Sequence, residues 1–165
     1  MNVKTSSVIH ATPSACWELL GRQFGDIGEW ATAIVKSSVD RAPQLGAERT
    51  CQLRGMGGMG PMEIHEELVG FNDEARDLTY RVIRGLPKVI RSAQNHWTVE
   101  DNGDGTSTIS SHATIELAWY MVPMIPMMKM QMGRDLRRVV EELKFRIEEG
   151  VPHPRKREAV VAIAS

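Results

Sequence analysis

From Ile34 to Leu117 apolar and polar residues alternate with a period of two. The alternation is broken by turn-forming residues at Ala42-Pro43, Gly55 to Pro61, Asn72-Asp73, Gly85-Leu86-Pro87 and Asp101-Asn102-Gly103-Asp104-Gly105. Period two sends successive side chains to opposite faces, so each run is a strand with one face for a core and one for water. The spacing predicts strands over 33–40, 47–54, 62–70, 77–84, 89–100 and 106–118. The connections are too short for the crossover that parallel strands need, which leaves an antiparallel meander.

The flanks complete the architecture. Val3 to His10 suits a further strand, and Ala11-Thr12-Pro13-Ser14 supplies an N-cap and a first-turn proline for a helix running to about Leu20. Gly21, Gly25 and Gly28 then break the chain around a second short helical turn ending near Trp30. After Trp119, the residues Ile125, Met128, Met132, Leu136, Val139, Val140, Leu143 and Ile147 recur at spacings of three and four, the stripe of a long helix with one buried face. Arg137 with Glu141 and Arg138 with Glu142 are expected to pair on its wet side, and Gly150, Pro152 and Pro154 to stop it. The expected fold class is α+β. A seven-stranded antiparallel curved sheet wraps around a long C-terminal helix, with two short helices after the first strand, in one domain over 1–150 followed by a loose tail over 151–165.

Local motifs agree with this order. Ala11-Thr12-Pro13-Ser14-Ala15-Cys16-Trp17, Trp30 with Val35-Lys36-Ser37-Ser38, Gly46-Ala47-Glu48-Arg49, and Glu66-Glu67-Leu68 with Asp73 to Tyr80 resemble the helix-grip (SRPBCC) pattern of the START-related superfamily. That superfamily includes polyketide cyclase/dehydrases, lipid carriers and plant hormone receptors. The resemblance covers nearly the whole chain to Gly150 and implies a helix-grip fold around an internal cavity. It does not select a reaction, since one cavity hosts many activities.

Charge excludes some partners. With 20 basic and 21 acidic residues the net charge is −1, which offers no overall field for nucleic acid. Cys16 and Cys51 are too few for a disulfide framework and fit a reducing compartment. Leu117 to Met128 is interrupted by Pro123 and Pro126 and is shorter than the roughly 18 residues of a membrane span. Residues 1–10 contain no apolar run of signal-peptide length. The expectation is a cytoplasmic protein with no nucleic-acid partner and no integral membrane segment.

Strand parity selects the cavity-facing residues. Cys51 and Leu53 point inward with Arg49, and Ile64 and Leu68 carry Glu66. The later strands contribute Leu78, Tyr80, Val82, Asn95, Trp97 and Ser111. A mostly apolar wall with a few placed polar groups is the composition of a ligand site. Arg49 and Glu66, on consecutive strands, are expected to form an ion pair inside it. The pair either satisfies itself and fixes strand register, or holds a ligand carbonyl and moves a proton. Tyr80 is the third candidate catalytic residue. Trp30, Cys51, Leu53, Met59, Ile64, Tyr80, Asn95, Trp97, Ser111, Met128 and Met132 are the candidate ligand contacts.

Glu63, His65 and Glu67 fall on the outer face, where Arg54 and Arg81 are expected to answer their charges in a solvated network rather than a metal site. No metal or cofactor is expected. The loop Gly55 to Met62, with Met56 and Met59, lacks the Lys-Ser/Thr of a phosphate loop and is either a soft apolar lid or a simple turn. The methionines from Met121 to Met132 cannot all face one side of a helix, which leaves a homodimer contact or a membrane surface open for some of them. Three functions remain, in this order. The first is a binding protein for a small hydrophobic molecule such as a lipid, polyketide or aromatic metabolite. The second is a cyclase/dehydratase acting in the same cavity, and the third a cochaperone-like interaction module.

Overall fold

The computed structural model describes residues 1–55 and 60–164. The strands are β1 (Asn2–Ile9), β2 (Ile34–Val39), β3 (Glu48–Leu53), β4 (Met62–Asn72), β5 (Asp77–Arg84), β6 (Ile90–Asp101) and β7 (Ser107–Leu117), each within two residues of the sequence expectation. They form one antiparallel sheet in the order β1-β7-β6-β5-β4-β3-β2, so β2 to β7 are a meander and β1 closes the far edge against β7. The helices are α1 (Pro13–Trp17), α2 (Ile27–Trp30), α3 (Ile125–Glu149) and α4 (Pro154–Ala164), and a 3₁₀ segment over Trp119–Met124 leads into α3. The helix-grip architecture expected from the pattern is the one observed.

Local chemistry starts and stops these elements. Thr12 Oγ1 accepts from the Ala15 amide at 3.3 Å and Pro13 occupies the first helical position of α1. At the other end, Gly150 takes the left-handed conformation (φ 71°) and its amide donates to Arg146 O at 3.1 Å, which ends α3. The tight β5–β6 turn passes so close to β4 that a Cβ on Gly85 (φ 92°) would stand 2.1 Å from Glu63 O. Only glycine fits there.

The core lies between the inner sheet face, α1 and α3. Ile9, Trp17, Leu68, Leu78, Ile109 and Leu143 are fully buried within it, each such side chain contributing roughly 1.5–3 kcal/mol of hydrophobic free energy. The sheet's inner face and the helix stripe therefore cover each other, as their periodicities require.

The tail departs from expectation. Pro152 and Pro154 do end α3, but a proline is also a good first residue for a new helix, and Pro154 opens α4. The Lys156 ammonium is buried and donates to Ala31 O at 3.1 Å and Ile34 O at 2.6 Å. Arg54 donates to Ala159 O at 2.6 Å. Residues after Gly150 thus fold back onto the α2–β2 connection instead of hanging loose. This contact also overturns the expected pairs on the wet side of α3. Glu141 pairs with Arg155 of α4 at 2.9 Å, and Glu142 is buried, accepting from the Thr32 amide at 2.8 Å.

Candidate functional site

A cavity of about 410 Å³ lies between the inner sheet face, α3 and the segment from Leu19 to Ile34. Its sheet wall is built from alternate residues: Arg49, Cys51 and Leu53 of β3; Ile64 and Glu66 of β4; Leu78, Tyr80 and Val82 of β5; Ala93, Asn95 and Trp97 of β6; Ala113 and Ile115 of β7. The opposite wall carries Phe24, Ile27, Trp30, Met132, Leu136 and Val139. Carbon dominates this surface, and the polar groups are few.

The expected residues fall as follows. Arg49, Glu66, Tyr80, Trp30, Cys51, Leu53, Ile64, Asn95, Trp97 and Met132 all line the cavity. Ser111 does not; it is buried and donates from Oγ to Asn95 Oδ1 at 2.9 Å, fixing the amide that does. Met128, one helical turn before Met132 on the same stripe of α3, is half-buried but absent from the lining. Met59, and with it the expected lid of Met56 and Met59, lies outside the described residues. Arg54 leaves the expected outer network and lines the cavity, since β3 ends at Leu53 and alternation no longer governs it. The outer network forms without it: Arg81 reaches Glu67 at 2.8 Å, and His65 lies 3.3 Å from Glu63.

Arg49 and Glu66 are direct cross-strand partners. The guanidinium places Nε 2.7 Å and Nη2 2.6 Å from Glu66 Oε2, with side-chain exposures of 3% and 7%. Its Nη1 donates to Phe24 O at 2.7 Å, and its plane sits 3.7 Å from the centre of the Phe24 ring. Every donor among the described residues that reaches Glu66 lands on Oε2, including Cys51 Sγ at 3.6 Å. Oε1 takes no bond from a described residue, on a side chain that borders the cavity.

A second polar group sits at the other end. Among the described residues, four buried side-chain polar atoms have no hydrogen-bond partner, and three of them, Trp30 Nε1, Thr32 Oγ1 and Arg54 Nε, belong to residues of the cavity wall. They share one locality, because the Arg54 amide donates to Ala33 O at 3.1 Å. Buried donors without acceptors are costly, each by about 1–3 kcal/mol.

A family model described as polyketide cyclase / dehydrase and lipid transport matches residues 1–148. The chain belongs to that family. A comparison with curated proteins returns no match. Among solved structures, a Thermus thermophilus protein is 15% identical, with all of both chains covered and a TM-score of 0.72. A Thalictrum flavum norcoclaurine synthase point mutant in complex with a transition-state analogue is 14% identical, covering 91% of this chain and 95% of its own, with a TM-score of 0.73. Major latex-like protein 151 from Panax ginseng is 15% identical, covering 87% and 95%, with a TM-score of 0.69. At these identities the likeness establishes a shared fold.

The ionisation of the wall bears on what a member of this family can do with it. Burial opposes the Arg49 charge, yet the adjacent Glu66 carboxylate outweighs it and holds the guanidinium above its ordinary pKa. Burial pushes the Cys51 thiol up to about 12, against the pull of Arg49, so it is not a thiolate at neutral pH. Burial, then the Glu66 charge, also raises Tyr80, whose hydroxyl accepts from Asn95 Nδ2 at 3.4 Å and keeps its own proton to donate. Among the described residues the wall offers hydrogen bonds, the tight Arg49–Glu66 pair and a looser Arg155–Glu142 pair at 3.5 Å, with Cys51 held as the neutral thiol.

Proposed function

We propose that this protein binds a small, largely apolar molecule in the cavity, with a carbonyl or carboxylate of that ligand held at the Trp30, Thr32 and Arg54 wall. The observation that carries this reading is an apolar cavity of about 410 Å³ whose wall includes three residues, Trp30, Thr32 and Arg54, with unpartnered buried polar atoms. A ligand acceptor that these side chains turn to meet satisfies groups that otherwise oppose folding, while its apolar body covers the carbon wall. Ligand binding without turnover is favoured because the Arg49 guanidinium is already engaged by Glu66 Oε2 and Phe24 O.

A cyclase or dehydratase reading draws on the same wall. Glu66 Oε1 and the Tyr80 hydroxyl are its acceptor and donor, and both belong to cavity-lining residues. Turnover of a polyketide-like ketone that falls in Glu66→Gln and Tyr80→Phe supports it.

The test of the binding reading is native mass spectrometry of the purified protein, followed by denaturing extraction of any bound molecule. Displacement of a fluorescent apolar probe by decanoic acid and by decane then separates head from tail. The expected result is a co-purifying amphipathic molecule, with decanoic acid the better competitor in the wild type and its advantage lost in Trp30→Phe/Arg54→Met. An empty protein that binds no apolar probe would end the cavity reading.

A further inference from the structure

The end of the molecule where β7 runs into α3 carries an apolar surface that no described element covers. Trp119 is 77% exposed, and Tyr120, Val122, Met124, Met127 and Met130 are exposed around it. The two aromatic rings meet edge to face, with centroids 5.9 Å apart, which holds them as one outward-facing pair. A contiguous exposed patch of this kind marks an interaction site.

Its surroundings are cationic. Lys88 and Arg91 flank the patch on the sheet side, because Val89 O accepts from the Ala118 amide at 2.9 Å and Ile90 pairs with Leu117. Lys129 and Arg134 flank it on α3. None of the four forms an ion pair with a carboxylate among the described residues. Across 86–92 and 116–134 they face a single acid before Asp135, Glu116, in a chain whose net charge is −1. Positive charge is thus concentrated where the apolar surface is. The cavity begins directly behind: Ala93 and Ile115, paired across β6 and β7, and Met132 of α3 belong to its lining.

We propose that this end docks on a lipid bilayer carrying anionic headgroups. Trp119 and Tyr120 suit the headgroup level, where an amphipathic ring keeps its polar edge wet and buries its face. Val122, Met124, Met127 and Met130 reach the acyl boundary with flexible apolar chains, and Lys88, Arg91, Lys129 and Arg134 face the phosphates. Among the described residues no helix is long and apolar enough to cross a membrane, and the proposed contact is a peripheral one. This surface lies outside the cavity, and its docking stands or falls apart from the ligand reading.

The experiment is co-sedimentation of the full chain with vesicles of phosphatidylcholine alone and of phosphatidylcholine mixed with phosphatidylglycerol. Quenching of tryptophan fluorescence by brominated acyl chains accompanies it. Trp17, Trp30 and Trp97 are buried, so quenching reports Trp119. Binding to the mixed vesicles is expected, with quenching, and with affinity falling as salt rises. Lys88→Gln/Arg91→Gln/Lys129→Gln is expected to weaken it about 100-fold, at roughly fivefold per cation. Trp119→Ser/Tyr120→Ser is expected to abolish it while leaving Tm unchanged, since both side chains are exposed. Failure to bind mixed vesicles at low salt, or equal binding by either variant, overturns the proposal. A dimer of the wild type that Trp119→Ser/Tyr120→Ser converts to monomer, without vesicle binding, overturns it in favour of a second copy of this chain.

Discussion

Removing one member of the Arg49–Glu66 pair leaves the other buried and uncompensated, and the two single variants are not equivalent. Glu66→Gln strands a guanidinium that is 3% exposed, and a broken buried pair costs about 3–5 kcal/mol. Arg49→Met strands the carboxylate at a similar cost and also leaves Phe24 O without its donor, adding about 1–3 kcal/mol. For a chain of this length each kcal/mol lowers Tm by about 2–4 °C, so Glu66→Gln should fall by about 6–20 °C and Arg49→Met further. The double variant Arg49→Met/Glu66→Leu removes both charges and keeps the volume. It should recover most of the loss, remaining below wild type chiefly by the orphaned Phe24 carbonyl. Urea denaturation of all four proteins as a double-mutant cycle gives the coupling directly. Single variants within about 1 kcal/mol of wild type, or a double variant no better than the sum of its parts, would refute a pair whose two charges exist to compensate each other. Ligand affinity measured on the same four proteins separates a structural pair from one that also contacts ligand.

Three further outcomes follow from the geometry. Gly85→Ala should destabilise by about 1–3 kcal/mol or more, because it combines a left-handed backbone with a Cβ driven into Glu63 O, and thermal unfolding at wild-type Tm would contradict that contact. Both cysteines are buried with raised pKa values, Cys51 to about 12, so iodoacetamide at pH 8 should label the native protein slowly and the urea-unfolded chain fast; prompt native labelling would disprove their burial. Asp73 accepts from Arg22 and from Trp17 Nε1, and these bonds hold its pKa at about 2. A folded-state pKa below the ordinary value stabilises the fold above pH 4, and that contribution is lost as pH falls toward 2. Asp73→Asn should therefore be less stable at neutral pH and lose less between pH 4 and pH 2, and parallel acid profiles for the two proteins would exclude the linkage.

Strand identity, the order of β2 to β7 and the inward face of each strand were legible in the sequence, because alternation and turn length are local properties and a meander converts them into topology without a choice; the seat of β1 beside β7 is a long-range pairing that they leave open. The same parity brought Arg49 and Glu66 to one face and into one pair. Beyond the strand ends that rule has no force. Arg54, one residue past β3, joins the cavity wall although alternation sent it to the outer face. Ser111 has the right parity, yet it bonds Asn95 and does not join the lining. The stacking of Phe24 on Arg49, the burial of Glu142 against the Thr32 amide and the seating of Lys156 on Ala31 O and Ile34 O join segments 25 to 125 residues apart. Periodicity determines which way a side chain points relative to its neighbours in the chain. What it meets there depends on which distant element arrives, and only the packed tertiary structure decides that.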